Sequence, residues 1–240
     1  MRAIWTLLAT WLSFWGFHPA KFHHITAPLP RIVALTFDDG PSPVYTPKIL
    51  TILKDNNVHA TFFVLGSEAE RFPQVTREII RQGSVIANHG YGHLNFFHAG
   101  VQRMWMDAEK TQNLLQKSGI PTVAFYRPPY GNSSPRLIEA FRTHGYTTVF
   151  WSIDTRDWAM PSTATIIRRT LNQIQPGAII LMHDGGGNRQ QTVEAVAAIV
   201  KFLRADGYRF VTLPQYVKEL HLNPPPARLP LPAEPPPQAG

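Results

Sequence analysis

ALTFDDGPSP, residues 34–43, sets two carboxylates side by side at the end of an apolar run. The run at residues 32–37 predicts a buried strand, and Asp38 and Asp39 follow it directly. Like charges at close range disfavour joint ionisation, so a compensating group is expected nearby. A solvated turn is the simpler interpretation, because Asp, Gly and Pro are ordinary turn residues. Residues elsewhere in the chain decide between such a turn and a metal or catalytic site.

Short apolar runs alternate with helix-length segments along the middle of the chain. Strands are predicted at residues 32–37, 60–65, 84–88, 123–126, 147–153, 178–182 and 209–213. Helices are predicted at residues 47–56, 68–82, 102–118, 135–144, 163–175 and 192–206. This alternation predicts an α/β fold with a parallel sheet, either open and doubly wound or closed as a barrel. No Gly-x-Gly-x-x-Gly follows the first strand, so a dinucleotide-binding fold lacks its usual support.

Polar residues stand just past the ends of several predicted strands. They are Asp38-Asp39, His89, Arg127, Asp154 with Asp157, and His183. In a (β/α) barrel all the strand ends open onto one mouth, where active sites lie. The clusters therefore favour a barrel of about seven parallel strands, with the site at the C-terminal strand ends.

The composition limits the classes of protein and of metal site. The 240 residues are 44% hydrophobic and 16% charged, which is typical of a globular chain of one large or two small domains. The chain has no cysteine, so a metal would have to be held by His, Asp or Glu. The net charge of +7 favours anionic surroundings such as a membrane surface or an acidic cell wall. Because no basic run is interleaved with aromatic residues, we do not expect nucleic-acid binding.

Both ends of the chain differ in composition from the middle. Residues 1–26 contain the apolar stretch 3–17 after Arg2, which predicts an export signal or membrane anchor; an amphipathic helix is the alternative. No clean cleavage site follows, so an uncleaved membrane tether through residues 1–20 stays open. Residues 223–240 are proline-rich and predict an extended tail. The catalytic domain is then expected at residues 27–222.

His89 and His93 stand four residues apart, with Gly90 and Gly92 between them. The glycines predict a loop, and the spacing lets both imidazoles reach one ion. Alone, such a pair is more often two ordinary loop histidines. Together with a carboxylate at the same barrel mouth it predicts a three-ligand metal site with an open position. One aspartate of the opening pair would then ligate the metal, and the other would stay free to act as a base.

Three further segments carry candidate catalytic groups. The two prolines after Arg127 fix the backbone, which suits an arginine aimed at a carboxylate and a Tyr130 N–H aimed at an oxyanion. The pair Asp154 and Asp157 beside Trp158 could orient a histidine and wall a sugar groove. A histidine at a strand end, as at 183, can act as a general acid near neutral pH. Taken singly, the Arg127 segment is better explained as a simple turn, the segment at 154–158 fits a solvated loop equally well, and His183 also fits a structural histidine at a strand end.

Five ordered motifs resemble those of polysaccharide deacetylases, carbohydrate esterase family four. They are Thr36-Phe37-Asp38-Asp39-Gly40, the His89/His93 pair, Arg127-Pro128-Pro129-Tyr130, residues 154–158 and Leu181-Met182-His183. The resemblance spans residue 31 to about residue 220. It implies a distorted (β/α) barrel, usually of seven strands, which agrees with the strands predicted above.

The resemblance implies metal-dependent removal of acetyl groups from N-acetylated sugars. It makes Asp38 the general base, which Arg127 positions. It makes Asp39, His89 and His93 the ligands of a divalent metal. Zinc is the expected ion, with Co²⁺ or another divalent ion as the alternative.

The remaining roles also follow from the resemblance. His183 is implied as the general acid, tuned by Asp157, and the Tyr130 backbone N–H as a partner of the oxyanion. Trp158 and Leu181 are implied to line the pocket for the acetyl methyl group.

One position departs from the family pattern. Members usually carry Ser or Thr directly after the first metal histidine, where this chain has Gly90. The hydroxyl normally helps to brace the loop that carries the second histidine. Its loss puts metal affinity in doubt, since changes around metal ligands commonly cost about 10- to 100-fold.

These observations predict an exported or membrane-tethered N-deacetylase acting on peptidoglycan N-acetylglucosamine or on chitin oligomers. The segment 183–189 resembles that of bacterial members acting on such glycans. An O-acetyl esterase on xylan-like sugars is the alternative within enzymes. A catalytically silent glycan-binding barrel is the alternative outside them. The sequence indicates no oligomeric state.

Overall fold

The structure is a computed structural model, and it describes residues 29–121 and 123–222. The strands are β1 Ile32–Asp38, β2 Thr61–Val64, β3 Val85–Asn88, β4 Phe125–Tyr126, β5 Thr147–Thr148, β6 Ile153–Asp154, β7 Ala178–His183 and β8 Arg209–Phe210. The helices are α1 Tyr45–Asp55, α2 Gly66–Arg71, α3 Pro73–Arg81, α4 Phe96–Lys117, α5 Pro135–Thr143, α6 Thr163–Leu171, α7 Gln190–Ala205 and α8 Leu213–Glu219. The predicted export or anchor segment and the predicted proline-rich tail lie outside the described residues.

The sheet is parallel and curls around β1. Its strands lie in the order β5-β4-β3-β2-β1-β7-β6, and β8 pairs with the start of β1. The register brings the C-terminal ends of neighbouring strands together, with Asp38 opposite His183 and Asn88 opposite Tyr126. This is the distorted (β/α) barrel that was predicted, and it gathers the strand-end residues on one edge.

The core explains why this sheet forms. All seven residues of β1 are buried, as expected for a parallel strand covered on both faces. Helix α7 buries one face through Val196, Ile199, Val200 and Leu203, at helical spacing. Helices α5 and α6 begin at serine side chains that accept hydrogen bonds from their first turns. The buried faces anchor the helices, and the strand ends are left to carry the site.

The strand predicted at residues 147–153 is wrong as a continuous element. Its first part, β5, pairs with β4, and its last part, β6, pairs with β7 on the opposite side of the sheet. Between them the carbonyls of Val149 and Phe150 accept hydrogen bonds from the Arg127 guanidinium, at 3.2 and 3.3 Å. A side chain therefore satisfies carbonyls that a continuous strand would have given to a neighbour.

Three other predicted elements differ from the structure. The helix at 68–82 is two helices that meet at Pro73, because proline has no N–H to continue a helix. Helix α4 starts earlier than predicted, at an Asn95 side-chain cap, and turns at Gly100, where φ is 72°. The strand at 209–213 ends at Phe210, and α8 begins at Leu213 after Thr212 donates its backbone N–H to Gln215.

No helix within residues 29–121 and 123–222 is both long enough and apolar enough to cross a membrane.

Candidate active site

A cavity of 370 Å³ opens at the C-terminal strand ends. Its lining residues are Asp38, Asp39, His89, His93, Tyr130, Gly131, Trp151, Asp154, Trp158, Leu181 and His183. Two further predicted site residues, Arg127 and Asp157, are buried directly behind this lining. The ten site residues predicted from the sequence therefore surround one cavity.

Asp38 and Arg127 form a buried ion pair. The guanidinium lies 2.7 Å from the Asp38 carboxylate, and the two side chains are 0% and 4% exposed. The same arginine nitrogen donates to the Thr36 hydroxyl at 2.9 Å, and the guanidinium stacks over the Phe63 ring. A buried carboxylate beside a fixed guanidinium is held in one orientation by a charge-assisted hydrogen bond. Asp38 is thus a fixed acceptor facing the cavity.

Asp39, His89 and His93 converge beside this pair. The Asp39 Oδ1 atom lies 3.4 Å from Nε2 of His89 and 3.2 Å from Nε2 of His93. One ligand atom from each residue lies within 4.8 Å of the other two. Burial opposes ionisation of Asp39, but hydrogen bonds and positive charge from protonated imidazoles outweigh it and hold the pKa of the carboxyl well below its usual range. A cation between these groups would act in the same direction.

The donor chemistry of this cluster fits a divalent cation. Nδ1 of His89 lies 2.8 Å from the Arg127 carbonyl, so in the neutral ring Nδ1 carries the proton and Nε2 has a lone pair. The Asp39 Oδ1 atom is buried and has no hydrogen-bond partner among the described residues. Lone pairs and an unpartnered carboxylate oxygen that face each other are satisfied by a cation between them. Two histidines and one carboxylate form a common zinc ligand set.

His183 and Asp157 form the third group at the cavity. Nδ1 of His183 lies 2.7 Å from Asp157, whose second oxygen accepts from the His183 backbone and from the Thr192 hydroxyl, both at 2.8 Å. Burial disfavours the imidazolium, but the Asp157 carboxylate, assisted by Asp38 and Asp39, raises the pKa of His183 to about 9. His183 is therefore a protonated imidazole at neutral pH.

Aromatic and apolar side chains form the cavity walls. Trp158 is 47% exposed and Tyr130 is 62% exposed, whereas Leu181 is buried. The Arg156 guanidinium lies over the Trp158 ring. An apolar pocket with exposed aromatic faces at its rim suits a small acyl group carried by a sugar.

Several site residues adopt left-handed backbone conformations. The φ angles are 70° at Asp39, 54° at His93 and 62° at Tyr130. Such conformations cost about 1–3 kcal/mol each and persist where the surroundings over-determine them. The backbone of Asp39 is packed closely against Gly185 and Gly186. A Cβ on Gly185 would lie only 2.0 Å from the Asp39 carbonyl oxygen. The glycine run after His183 therefore lets the two halves of the site approach each other.

Sequence reasoning missed three residues at the site. Trp151 lines the cavity from the segment between β5 and β6, which was predicted as strand. Thr192 supports Asp157 from the first turn of α7. Asp184 is buried beside Gly40 and accepts a hydrogen bond from Thr46, and burial raises its pKa to about 7. No local pattern marks Trp151 or Thr192, whereas Asp184 directly follows a predicted site histidine.

Known proteins are similar to this chain in sequence and in fold. The polysaccharide deacetylase family model matches residues 26–149. A peptidoglycan-N-acetylglucosamine deacetylase of Bacillus cereus is 42% identical over 183 residues, which cover 76% of this chain and 66% of that protein. A chitooligosaccharide deacetylase of Sinorhizobium fredii is 36% identical over 196 residues, covering 76% of this chain and 90% of that protein.

A solved structure gives the same result for the fold. A crystal structure of a peptidoglycan N-acetylglucosamine deacetylase superposes with a TM-score of 0.75 at 40% identity, covering 79% of this chain and 90% of that one. Sequence, fold and strand-end site agree: the chain belongs to the polysaccharide deacetylase family, carbohydrate esterase family four.

Proposed function

We propose that this protein hydrolyses the N-acetyl group of N-acetylglucosamine units in a cell-wall or chitin-like glycan and releases acetate. The observation that carries the proposal is the convergence of three groups on one cavity. They are a buried Asp38–Arg127 pair, a two-histidine, one-carboxylate cluster, and a protonated His183 held by Asp157. A base, a cation site and an acid around one cavity suit metal-assisted amide hydrolysis.

Asp38 is the proposed general base. It takes a proton from water as the water oxygen attacks the acetyl carbonyl carbon. Arg127 fixes the direction of the carboxylate, because the guanidinium is itself held by Thr36 and by the carbonyl of Val149.

Asp39, His89 and His93 would hold the divalent ion, for which zinc is the proposed identity and Co²⁺ the alternative. When bound, such an ion acts as a Lewis acid and lowers the pKa of water. The residues themselves contribute a preformed set of donors, since His89 is already oriented through its other ring nitrogen.

His183 is the proposed general acid. As the carbon–nitrogen bond breaks, it donates its proton to the departing nitrogen, so the products are acetate and a free amine on the sugar. Asp157 holds the imidazole in the tautomer that presents Nε2 and stabilises its charge.

The cavity walls are proposed to select the acetyl group. Trp158 and Leu181 contact the methyl group, and the Tyr130 backbone N–H donates to the developing oxyanion. The left-handed backbone at Tyr130 supports this role, since such a conformation is retained where a group has to be aimed.

The envelope is the proposed location, because relatives include deacetylases of peptidoglycan. Residues 27–222 are proposed as the catalytic domain, with residues 1–26 as an export signal or tether and residues 223–240 as a tail. The described part of the chain supports the first assignment, because it contains the whole sheet and every proposed site residue.

Acetate release from a panel of glycans tests the substrate class. Peptidoglycan and N-acetylglucosamine oligomers are expected to release acetate, and acetylated xylan is expected to release much less. Preference for the xylan would favour the O-acetyl esterase. Binding of the oligomers without acetate release, in metal-loaded protein, would favour the silent glycan-binding barrel.

A further inference from the structure

The loop between the two metal histidines has nearly all its backbone groups hydrogen-bonded. The carbonyls of Gly90 and Tyr91 accept from Gly66 and Ser67 at the start of α2, at 2.9 and 3.1 Å. The Gly90 N–H donates to the Asn88 side chain at 2.8 Å. The N–H groups of residues 91 and 92 turn the other way, toward α4.

Both of those N–H groups donate to one carboxylate, that of Asp107. The distance is 2.6 Å from Tyr91 and 3.1 Å from Gly92. Hydrogen bonds to an ionised acceptor are roughly twice as strong as neutral ones. Asp107 lies on α4, which is packed into the core through Met104, Ala108 and Leu115. A rigid helix therefore holds the segment that leads directly into His93.

Gly90 has the conformation and the space that this arrangement needs. Its φ is +81°, and a Cβ there would come within 2.5 Å of the Asp107 carboxylate. A side chain at 90 and this placement of Asp107 exclude each other. This chain lacks a hydroxyl after His89, and the Asp107 carboxylate reaches the same loop from helix α4.

We infer that Asp107 is a positioning residue for the metal site: it holds the backbone on which His93 is presented. The inference rests on the metal site proposed above. His93 itself adopts a left-handed conformation, with φ of 54°, which the loop has to maintain. Without Asp107 the N–H groups of residues 91 and 92 lose their acceptor, and the histidine is released to other backbone conformations.

Cobalt affinity of the full chain tests this inference with a readout separate from activity. The protein is stripped with a chelator and titrated with Co²⁺, and the visible absorption of the ion is followed. Asp107→Ala is expected to weaken Co²⁺ binding about 10- to 100-fold, the usual effect of removing a group that orients a metal ligand. Asp107→Asn retains one acceptor oxygen and is expected to recover part of the loss.

Two further variants separate the loss of the acceptor oxygen from a loss of stability. Asp107→Leu fills the same space without an acceptor and replaces the alanine variant if that one does not fold. Leu203→Ala removes a buried side chain of another helix, α7, lowers stability, and is expected to leave Co²⁺ affinity unchanged.

The outcomes separate this inference from the function on which it rests. Wild-type affinity in folded Asp107→Ala or Asp107→Leu overturns the role of Asp107 and leaves the metal site standing. An equal loss of affinity in Leu203→Ala also overturns it, because the effect then follows stability. A wild-type protein that does not bind Co²⁺ or Zn²⁺ at all overturns the proposed metal site, and this inference with it.

Discussion

Nδ1 of His183 lies 2.7 Å from a carboxylate oxygen of Asp157, and the other oxygen of that carboxylate accepts the His183 backbone N–H. One side chain therefore fixes both the imidazole ring and the strand end that carries it. Nε2 is left as the ring nitrogen that can meet a substrate in the cavity.

The pH dependence of turnover follows from this pair. Activity is expected to fall on the alkaline side as His183, whose pKa is raised to about 9, loses its proton. Asp157→Asn removes the charge that raises the pKa and leaves the burial that lowers it. The alkaline limb of kcat/KM against pH should therefore move to lower pH. An unmoved limb in this variant, with His183 still required for turnover, would show that Asp157 does not set the acid.

Asp38→Asn separates the base from the metal site. The amide cannot take a proton, so turnover should fall by about 10²- to 10⁴-fold, the usual contribution of a general base. Metal content should be retained, because Asp39, His89 and His93 are unchanged. Acetate release and elemental analysis of the same sample check both parts. Loss of the ion together with activity would instead make Asp38 a metal ligand.

Gly90→Ser tests the backbone requirement of the histidine loop. A non-glycine residue at φ +81° costs roughly 1–2 kcal/mol, and the added side chain must also displace Asp107. A lower free energy of unfolding and weaker metal binding are expected. Gly92→Ser is the matched control, because its Cβ would find its nearest neighbour at an ordinary 3.5 Å. Equal stability of the two variants would show that position 90 does not require glycine.

Removal of residues 1–26 tests the proposed domain boundary. A chain beginning at Ala27 should be soluble and active, since the sheet and all proposed site residues lie after it. Thermal unfolding and acetate release are the measurements. If the shortened chain does not fold, the N-terminal segment belongs to the core, and its interpretation as a signal or tether is wrong.

The parts of the fold predicted from sequence rest on local signals. Strand β1 is an uninterrupted apolar run, and its two aspartates mark the strand end. The two glycines between His89 and His93 predict the loop that carries these histidines. The helix boundary at Pro73 is a local signal as well, because proline has no N–H to continue a helix, although the single helix predicted at 68–82 runs across it.

Other features depend on contacts between distant parts of the chain. The break after Thr148 arises because the Arg127 guanidinium takes the carbonyls of residues 149 and 150. Asp107 reads as an ordinary exposed helix residue until α4 is packed beside the histidine loop. No spacing or periodicity encodes either contact.

Metal content and acetate release, measured on one preparation, test whether deacetylation depends on an ion held by Asp39, His89 and His93. About one divalent ion per chain is expected in that site. Chelation should abolish acetate release from an N-acetylglucosamine oligomer, and adding Zn²⁺ or Co²⁺ back should restore it. His93→Ala should lack both the ion and the activity. Full acetate release by metal-free protein would contradict a metal-dependent mechanism.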